Sequence, residues 1–393
     1  MRVRPFHLVI FATLLAAFLR FFHLATLAPE AWFDEVWFAL RARELIANPQ
    51  LVVFYRTPWG GGNALMVYLT AAAQLLGFTG ISSSRTASAA LGVIAVPLAY
   101  ACFDELLRGS AFQARPRRWI AALVAFTLSY LLYWVIVSRV GTEPSLAPAA
   151  ALFCVWQLKR ARRFTESTMK TPGHQDTQRN LGGALNLRAL EPAKEHLLLP
   201  PDLQSGGQAA RFALQIQPEQ TAGLYFYKFL VVEPYLGFVL AGVVAGVAQY
   251  NGPHARFLLP LLGLIALHDL FLIPASRRKQ YFAGLALAAL AGLIVAAPLA
   301  LFFIREPEWL LARARVTTSV SFGNPEVMLE NLRFTLIAFN FVGSFDPLTN
   351  YPGLPMFDVI QSIGFFVGHG WVIWNLRRSP AARELLAWEI IMM

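Results

Sequence analysis

The segment YFAGLALAALAGLIVAAPLALFF, residues 281–303, decides the fold class of this chain, because no charged side chain interrupts it. A helix of roughly 20 mostly apolar residues is long enough to cross the hydrocarbon core of a bilayer. The basic residues SRRK, 276–279, precede the segment, as is typical of the cytoplasmic end of a spanning helix. The segment therefore predicts a membrane-spanning helix that runs from the cytoplasm to the outer face.

The composition of the whole chain agrees with a membrane protein. Of its 393 residues, 56% are hydrophobic and 14% are charged, and the mean hydropathy is +0.50. Soluble domains carry about 25% charged residues, so this chain is poor in charge. We therefore predict an all-α polytopic membrane protein.

Apolar runs of similar length recur along the chain and predict eight spanning helices and a partial ninth that begins near Glu384. The eight runs are 5–22, 86–107, 119–138, 142–158, 228–250, 254–273, 281–303 and 357–375. The partial ninth ends in AWEIIMM, which is too short to span, so we expect either a truncated chain or a half-inserted helix. A cleaved signal peptide is the alternative for the first run, but no small-x-small cleavage site stands before APEAWFDE.

The positions of Lys and Arg predict the orientation of these helices. With a cytoplasmic N-terminus, the basic runs RPRR, KRARR, SRRK and NLRRSPAAR all fall on the cytoplasmic side. The net charge of +10 therefore reflects topology, and because the basic residues are spread over separate loops we expect no nucleic-acid partner. Cys102 and Cys154 fall within predicted helices and are expected to be buried thiols.

The same alternation divides the chain into three parts. Residues 1–158 form an N-terminal membrane module with an acidic first outer loop, 29–84. Residues 159–227 form a polar cytoplasmic insertion without a recognisable motif. Residues 228–393 form a C-terminal set of membrane helices with a second outer loop, 304–356.

Two adjacent acids, Asp34 and Glu35, lie in the first outer loop within EAWFDEVWFALRARE, residues 30–44. The aromatic and apolar residues around them predict a helix in the membrane interface. A carboxylate held among apolar residues gains proton affinity unless a cation compensates it, which suits a general base or a metal ligand. The alternative is that both acids lie on a solvated polar stripe.

Two short outer turns place further polar residues at the same depth. SRVGTEPS carries Arg139 and Glu143, and YNGPHARF carries Tyr250, His254 and Arg256. Acids and arginines at one depth indicate a site for an anionic group beside a base. Taken singly, the arginines have the alternative of reaching lipid phosphates at the interface.

These motifs, in this order and on this side, resemble the lipid-phosphate-sugar-dependent glycosyltransferases of superfamily C (GT-C). The resemblance rests on WFDE, ALMVYLTAAAQLLGF, SRVGTEP, YNGPHARFLLPLL and FNFVGSFDPLTNYPGLPMFD, and it covers most of the chain outside 159–224. The kin that it suggests are bacterial relatives of the protein O-mannosyltransferases and of the aminoarabinose transferase. It implies a GT-C-like bundle of about eight or nine transmembrane helices, with 63–78 as an outer helix along the membrane face.

The resemblance also implies roles for the acids. Asp34 would be the base that takes the proton of the acceptor hydroxyl, and Glu35 would orient it or bind a divalent ion. Glu143 matches a second acid of many relatives. A divalent cation, Mg²⁺ or Mn²⁺, held by Asp34 and Glu143 is the one cofactor that this pattern leaves open. A lone catalytic carboxylate implies inversion at the anomeric carbon.

The donor phosphate, by the same resemblance, would be held by Arg256 together with Arg139 and His254. One position departs from the family pattern, because Asn63 stands where a phosphate-binding lysine is expected before Tyr68. Arg56, in FYRTPWGGG, is the candidate substitute for that lysine; otherwise the donor is held differently.

The predicted function is transfer of a sugar from a polyprenyl-phosphate donor to an acceptor hydroxyl of a lipid, glycan or protein. The reaction would take place on the outer face of a bacterial cytoplasmic membrane. A transporter or flippase of a lipid-linked saccharide is the main alternative, although the predicted helix centres carry almost no charge. A non-catalytic membrane subunit of envelope assembly is the third interpretation.

Overall fold

A computed structural model describes residues 4–26, 31–57, 64–109, 113–141, 146–167, 235–310, 324–343 and 352–392. These residues form helices and their connections, and none of the described residues lies in a β-strand. The helices are α1 Pro5–Phe21, α2 Phe33–Ala47, α3 Ala64–Leu75, α4 Ile81–Leu106, α5 Ala114–Tyr130, α6 Leu132–Arg139, α7 Leu146–Ser167, α8 Tyr235–Asn251, α9 Pro253–Arg256, α10 Leu258–Leu272, α11 Ala275–Arg305, α12 Pro325–Ala338, α13 Val359–Asn375 and α14 Pro380–Met392. The predicted all-α class is confirmed. Residues 159–167 of the predicted insertion belong to α7, and the remainder, 168–227, lies outside the described residues.

Two of the described helices, α4 and α11, are each long and apolar enough to cross a membrane. With 26 and 31 residues they extend roughly 39 and 46 Å, which exceeds the hydrocarbon core of about 30 Å. The pair α5 and α6 passes the same test as one broken span that is bent by 54°. The helices α1, α3, α8 and α10 are apolar but shorter. The predicted number of spans stays a prediction.

Helix boundaries differ from the sequence prediction in two instructive places. The run 119–138 was predicted as one helix, but the helix breaks at Leu131, whose backbone leaves the helical region between α5 and α6. The second difference is α12, which lies within the predicted outer loop. Its first turn is capped by Asn324, whose side chain accepts a hydrogen bond from the backbone nitrogen of Glu326 at 3.0 Å, and Pro325 follows at the first helical position.

A hydrophobic core joins α4, α5, α6, α7, α8 and α10. Small and aliphatic side chains fill this core, among them Ala99, Cys102, Val155 and Leu261, and both cysteines are buried thiols as predicted. A second cluster joins α2, α3 and the start of α4 around Phe38 and Met66. The first outer segment is therefore packed onto the helical bundle through α3 and α4.

The outer surface of α11 carries large exposed apolar side chains, including Leu293, Ile294 and Ile304. Proteins that stay in water rarely expose contiguous apolar surfaces of this kind. This surface fits contact with lipid.

The helices α8 and α11 approach each other through glycines. A Cβ atom built on Gly242 would lie 2.0 Å from the carbonyl oxygen of Ala288, and one on Gly246 would lie 2.7 Å from the carbonyl oxygen of Gly292. Small residues at such a crossing let two helical backbones come close enough for extensive van der Waals contact. The position of α11, including its C-terminal end, therefore depends on these glycines.

Replacing Gly242 by Leu is expected to destabilise the protein by about 1–3 kcal/mol or more, because the added atoms meet backbone that has no room to shift. The measurement is unfolding of the purified chain in detergent. Gly263→Leu is the matched control, since a Cβ on Gly263 in α10 has nothing within 4 Å. Equal stability of the two variants would contradict the close contact between α8 and α11.

Candidate active site

Glu35 lies in the first turn of α2, and the helix start holds it in place. Its Oε2 accepts a hydrogen bond from the backbone nitrogen of Trp32 at 3.0 Å, which completes a capping box. An acidic side chain is favourable there because the N-terminal end of a helix carries partial positive charge. The local sequence WFDE thus both begins α2 and places its two acids in the first turn.

The carboxylate of Glu35 is fully buried and forms a two-pronged ion pair with Arg85 of α4. The Nε and Nη2 atoms of Arg85 donate to Oε1 and Oε2 at 2.8 and 2.9 Å. The backbone nitrogen of Gly141 also donates to Oε1 at 2.8 Å. Together with the donor from Trp32, each oxygen accepts two hydrogen bonds, which fills its lone pairs. This geometry favours a supporting role for Glu35 over metal binding.

Gly141 can approach this pair because it lacks a side chain. A Cβ at this position would lie 2.6 Å from the Oγ atom of Ser84 and 2.7 Å from the backbone of Ser84. The Oγ atom of Ser84 in turn donates to the carbonyl oxygen of Glu35 at 3.3 Å. The buried pair therefore fastens α2, α4 and the segment after α6 to one another.

Asp34, next to Glu35, has a different environment. Its side chain is partly exposed, and Oδ2 accepts a hydrogen bond from the indole Nε1 of Trp32 at 3.2 Å. A general base must reach the proton that it abstracts, so an accessible carboxylate on a fixed backbone suits that task. The two adjacent acids thus have separate environments, one accessible and one enclosed.

Arg139 was predicted to hold the donor phosphate, and the structure places it at the C-terminal end of α1. Its Nη1 donates to the carbonyl oxygens of Leu19 and Arg20, at 2.5 and 3.4 Å, and its Nη2 donates to that of His23 at 3.3 Å. A cation is favourable at the negative end of a helix dipole. These contacts give Arg139 a capping role in this structure, and its phosphate-binding role stays a prediction.

A buried arginine that the sequence analysis did not single out lies nearby. Arg20 of α1 has no exposed surface, and its Nη1 donates to the carbonyl oxygen of Ser129 at 2.8 Å, just before the break between α5 and α6. Its Nε and Nη2 atoms have no hydrogen-bond partner among the described residues. The sequence did contain a signal for Arg20, because it is the one arginine in the apolar run 5–22. Charged residues inside membrane segments are usually functional.

The predicted phosphate-binding residues Arg56 and Arg256 meet at the C-terminal end of α11. The guanidinium of Arg56 lies 5.5 Å from the ring centre of Phe302, and that of Arg256 lies 5.4 Å from the ring centre of Phe303. The two rings contact each other edge to face at 5.5 Å. The structure thus brings two arginines that are far apart in sequence to the C-terminal end of α11.

Each of these two arginines has a partner in the described residues. Arg56 forms a fork with Glu306, in which Nε donates to Oε2 at 2.7 Å and Nη2 donates to Oε1. These hydrogen bonds raise the pKa of Arg56 and lower the pKa of Glu306. Arg256 donates from Nη1 to the carbonyl oxygen of Leu310 at 2.9 Å.

Aromatic packing supports this second group of residues. The ring of Phe54, two residues before Arg56, lies 4.8 Å from that of Phe302 and 5.2 Å from that of Phe303. It also contacts Trp309 at 6.2 Å. The first outer loop and the end of α11 therefore form one packed aromatic and cationic surface.

Two predicted site residues lie outside what the structure describes. Glu143 belongs to the undescribed segment 142–145, and the side chain of His254 is not described although its backbone lies in α9. The predicted metal pair Asp34 and Glu143 therefore stays a prediction.

In the described part of the chain, one group of three side chains could hold a metal ion by ligand type and spacing. His268, Asp269 and Glu384 place ligand atoms within 4.8 Å of one another. The ammonium of Lys159 lies between the two carboxylates, at 2.6 Å from Asp269 and 2.5 Å from Glu384. Arg162 also donates to Asp269. A metal ion would have to displace Lys159, so the present arrangement is a charge-compensated network.

Comparisons with known proteins give two similar structures. No protein family and no curated protein matches the sequence. The S. cerevisiae protein O-mannosyltransferase Pmt1-Pmt2 complex bound to the sugar donor has a TM-score of 0.46 and 16% identity, over 78% of this chain and 34% of that chain. The Archaeoglobus fulgidus oligosaccharyltransferase tethered with an acceptor peptide has a TM-score of 0.48 and 14% identity, over 98% of this chain and 46% of that chain.

The two similar structures are longer than this chain. This chain spans between about a third and a half of their lengths. The comparisons assign a role to no individual residue of this chain.

Proposed function

We propose that this chain transfers a sugar from a polyprenyl-phosphate donor to an acceptor hydroxyl on the outer face of a bacterial cytoplasmic membrane. The observation that carries the proposal is the contrast within the first turn of α2. Glu35 is enclosed by four hydrogen-bond donors, whereas Asp34 beside it keeps an accessible carboxylate. A rigid support for one accessible carboxylate is the arrangement that a general base requires.

The proposed reaction is a displacement at the anomeric carbon of the donor. The acceptor oxygen forms a bond to this carbon while the bond from the carbon to the phosphate oxygen breaks. Asp34 takes the proton of the acceptor hydroxyl, and the polyprenyl phosphate leaves with the bonding electron pair. With one carboxylate and no covalent intermediate, the configuration at the anomeric carbon is inverted.

The leaving phosphate gains negative charge as its bond to the sugar breaks, so a nearby cation lowers the barrier. Arg56 and Arg256 supply that charge in the proposal, because both lie against the Phe302 and Phe303 pair. Arginine suits this task since its planar fork matches the oxygens of a phosphate. The exposed apolar side chains of α11 extend to this same end of the helix. In the proposal they contact the prenyl chain of the donor.

The test compares membranes that contain the full chain with membranes that lack it, using mass spectrometry of envelope glycans and lipid-linked sugars. We expect one glycan to lose a single sugar, and one polyprenyl-phosphate sugar to accumulate, when the protein is missing. Identical profiles would contradict the proposal. Translocation of a lipid-linked saccharide across proteoliposomes without sugar transfer would favour the transporter instead.

A further inference from the structure

We infer that Glu306 is an internal counter-ion that the donor phosphate displaces from Arg56. Binding of a polyprenyl phosphate would then break the ion pair that Arg56 of the first outer loop forms with Glu306 at the end of α11. This inference rests on the proposed function and adds to it a residue that controls access to the phosphate site. Glu306 was not singled out by the sequence analysis, since it lies 250 residues from Arg56 in the chain.

In the contact between Arg56 and Glu306, a carboxylate of the protein itself occupies the part of the guanidinium that could bind an external anion. Two nitrogens of one guanidinium donate to the two oxygens of one carboxylate, with Nε to Oε2 at 2.7 Å. A phosphate offers a pair of oxygens that fits the same fork. The carboxylate of Glu306 and a phosphate would therefore compete for the same face of Arg56.

Exposure separates this pair from the fork that Arg85 and Glu35 form. The side chains of Arg56 and Glu306 are 58% and 28% exposed, whereas those of Arg85 and Glu35 are 0% and 1% exposed. Exposed ion pairs contribute little to stability, while breaking a buried pair leaves an uncompensated charge. Exchange of a carboxylate for a phosphate is therefore feasible at Arg56 and not at Arg85.

The surroundings of Arg56 fit a phosphate that carries an isoprenoid chain. Arg256 lies over the adjacent ring of Phe303 and donates to the neutral carbonyl oxygen of Leu310. Among the described residues, no carboxylate forms an ion pair with Arg256. Leu301 and Ile304 at this end of α11 are exposed apolar side chains. With Glu306 turned away, two cations would face the phosphate, and the apolar surface of α11 would contact the chain.

The experiment measures binding of farnesyl phosphate, with farnesol as the uncharged control, to the full chain in lipid nanodiscs. Glu306→Gln is expected to tighten farnesyl phosphate binding by about two- to fivefold, because the internal competitor loses its charge. Farnesol binding is expected to stay unchanged. In an Arg56→Gln background, Glu306→Gln is expected to have no effect, since the contested fork is absent.

Glu44→Gln is the matched control, because Glu44 forms an exposed ion pair with Arg41 on α2. It should leave farnesyl phosphate affinity unchanged. Glu306→Ala provides a second variant with the same expectation as Glu306→Gln, and size-exclusion chromatography reports whether each variant is folded.

Unchanged or weaker farnesyl phosphate binding by both Glu306 variants would overturn the inference. If the wild-type chain still transfers sugar in that case, the proposed function stands and only the role of Glu306 fails. Absence of sugar transfer by the wild-type chain, with farnesyl phosphate bound no better than farnesol, would instead remove the proposed function.

Discussion

Replacing Asp34 by Asn is expected to lower the rate of sugar transfer by about 100- to 10,000-fold, which is the usual contribution of a general base. Asparagine has nearly the same shape as aspartate but does not accept a proton at neutral pH. The structure indicates that folding should be unaffected, because the side chain of Asp34 is partly exposed and only its Oδ2 bonds to Trp32. The measurement is transfer from the lipid-linked donor by purified protein in nanodiscs.

Two further variants make the Asp34 result interpretable. Asp34→Glu keeps a base but moves it, so it should retain part of the activity. Glu44→Gln, at the other end of α2, should retain full activity, because Glu44 bonds to Arg41 on the helix surface. Undiminished transfer by Asp34→Asn would remove Asp34 as the base and leave the chemistry to another residue.

Replacing Arg85 by Met is expected to lower the free energy of unfolding by about 3–5 kcal/mol, which is typical when one partner of a buried ion pair is removed. The carboxylate of Glu35 would then remain buried with the backbone nitrogens of Trp32 and Gly141 as its donors. Because Glu35 holds the first turn of α2 against α4, sugar transfer is expected to fall together with stability. Unfolding in detergent measures the first effect and the nanodisc assay measures the second.

The control for Arg85→Met is Arg41→Met, which removes one partner of the exposed pair with Glu44. Exposed pairs contribute about 0–1 kcal/mol, so this variant should be nearly as stable as the wild type. The double variant Glu35→Gln with Arg85→Met should be more stable than Arg85→Met alone, since no buried charge remains unpaired. Equal stability of Arg85→Met and Arg41→Met would contradict the buried pair.

Part of the fold could be predicted because its signals are local. The charge-free run 281–303 became the centre of α11, and the helix predicted at 63–78 is present as α3. The break at Leu131 was missed, since the apolar pattern continues through it and nothing local marks the change of direction. The helix α12 was missed although Asn324 and Pro325 form a recognisable helix start.

The candidate site, like the fold, could be predicted only in part from the sequence. Asp34 and Glu35 could be selected from WFDE through the resemblance to the GT-C glycosyltransferases, whereas the residues alone left a solvated polar stripe as an equal alternative. Their different environments could not be predicted, since Arg85 reaches Glu35 across 50 positions and Gly141 reaches it across 106. Arg56 was predicted as a phosphate ligand, but its pairing with Glu306 depends on how the first outer loop packs on Phe302.

The sequence by itself therefore determined the helical class, and it predicts the sides of the membrane and an acidic pair in the first outer loop. Hydropathy and charge placement decide these properties because they act along a short stretch of chain and depend little on distant residues. Only the tertiary structure decided which acid is enclosed and which is accessible, and which arginine forms its ion pair at a partly exposed position. An ion pair forms only when folding brings its atoms within about 3 Å of each other. A local sequence pattern does not show which distant residues will come that close.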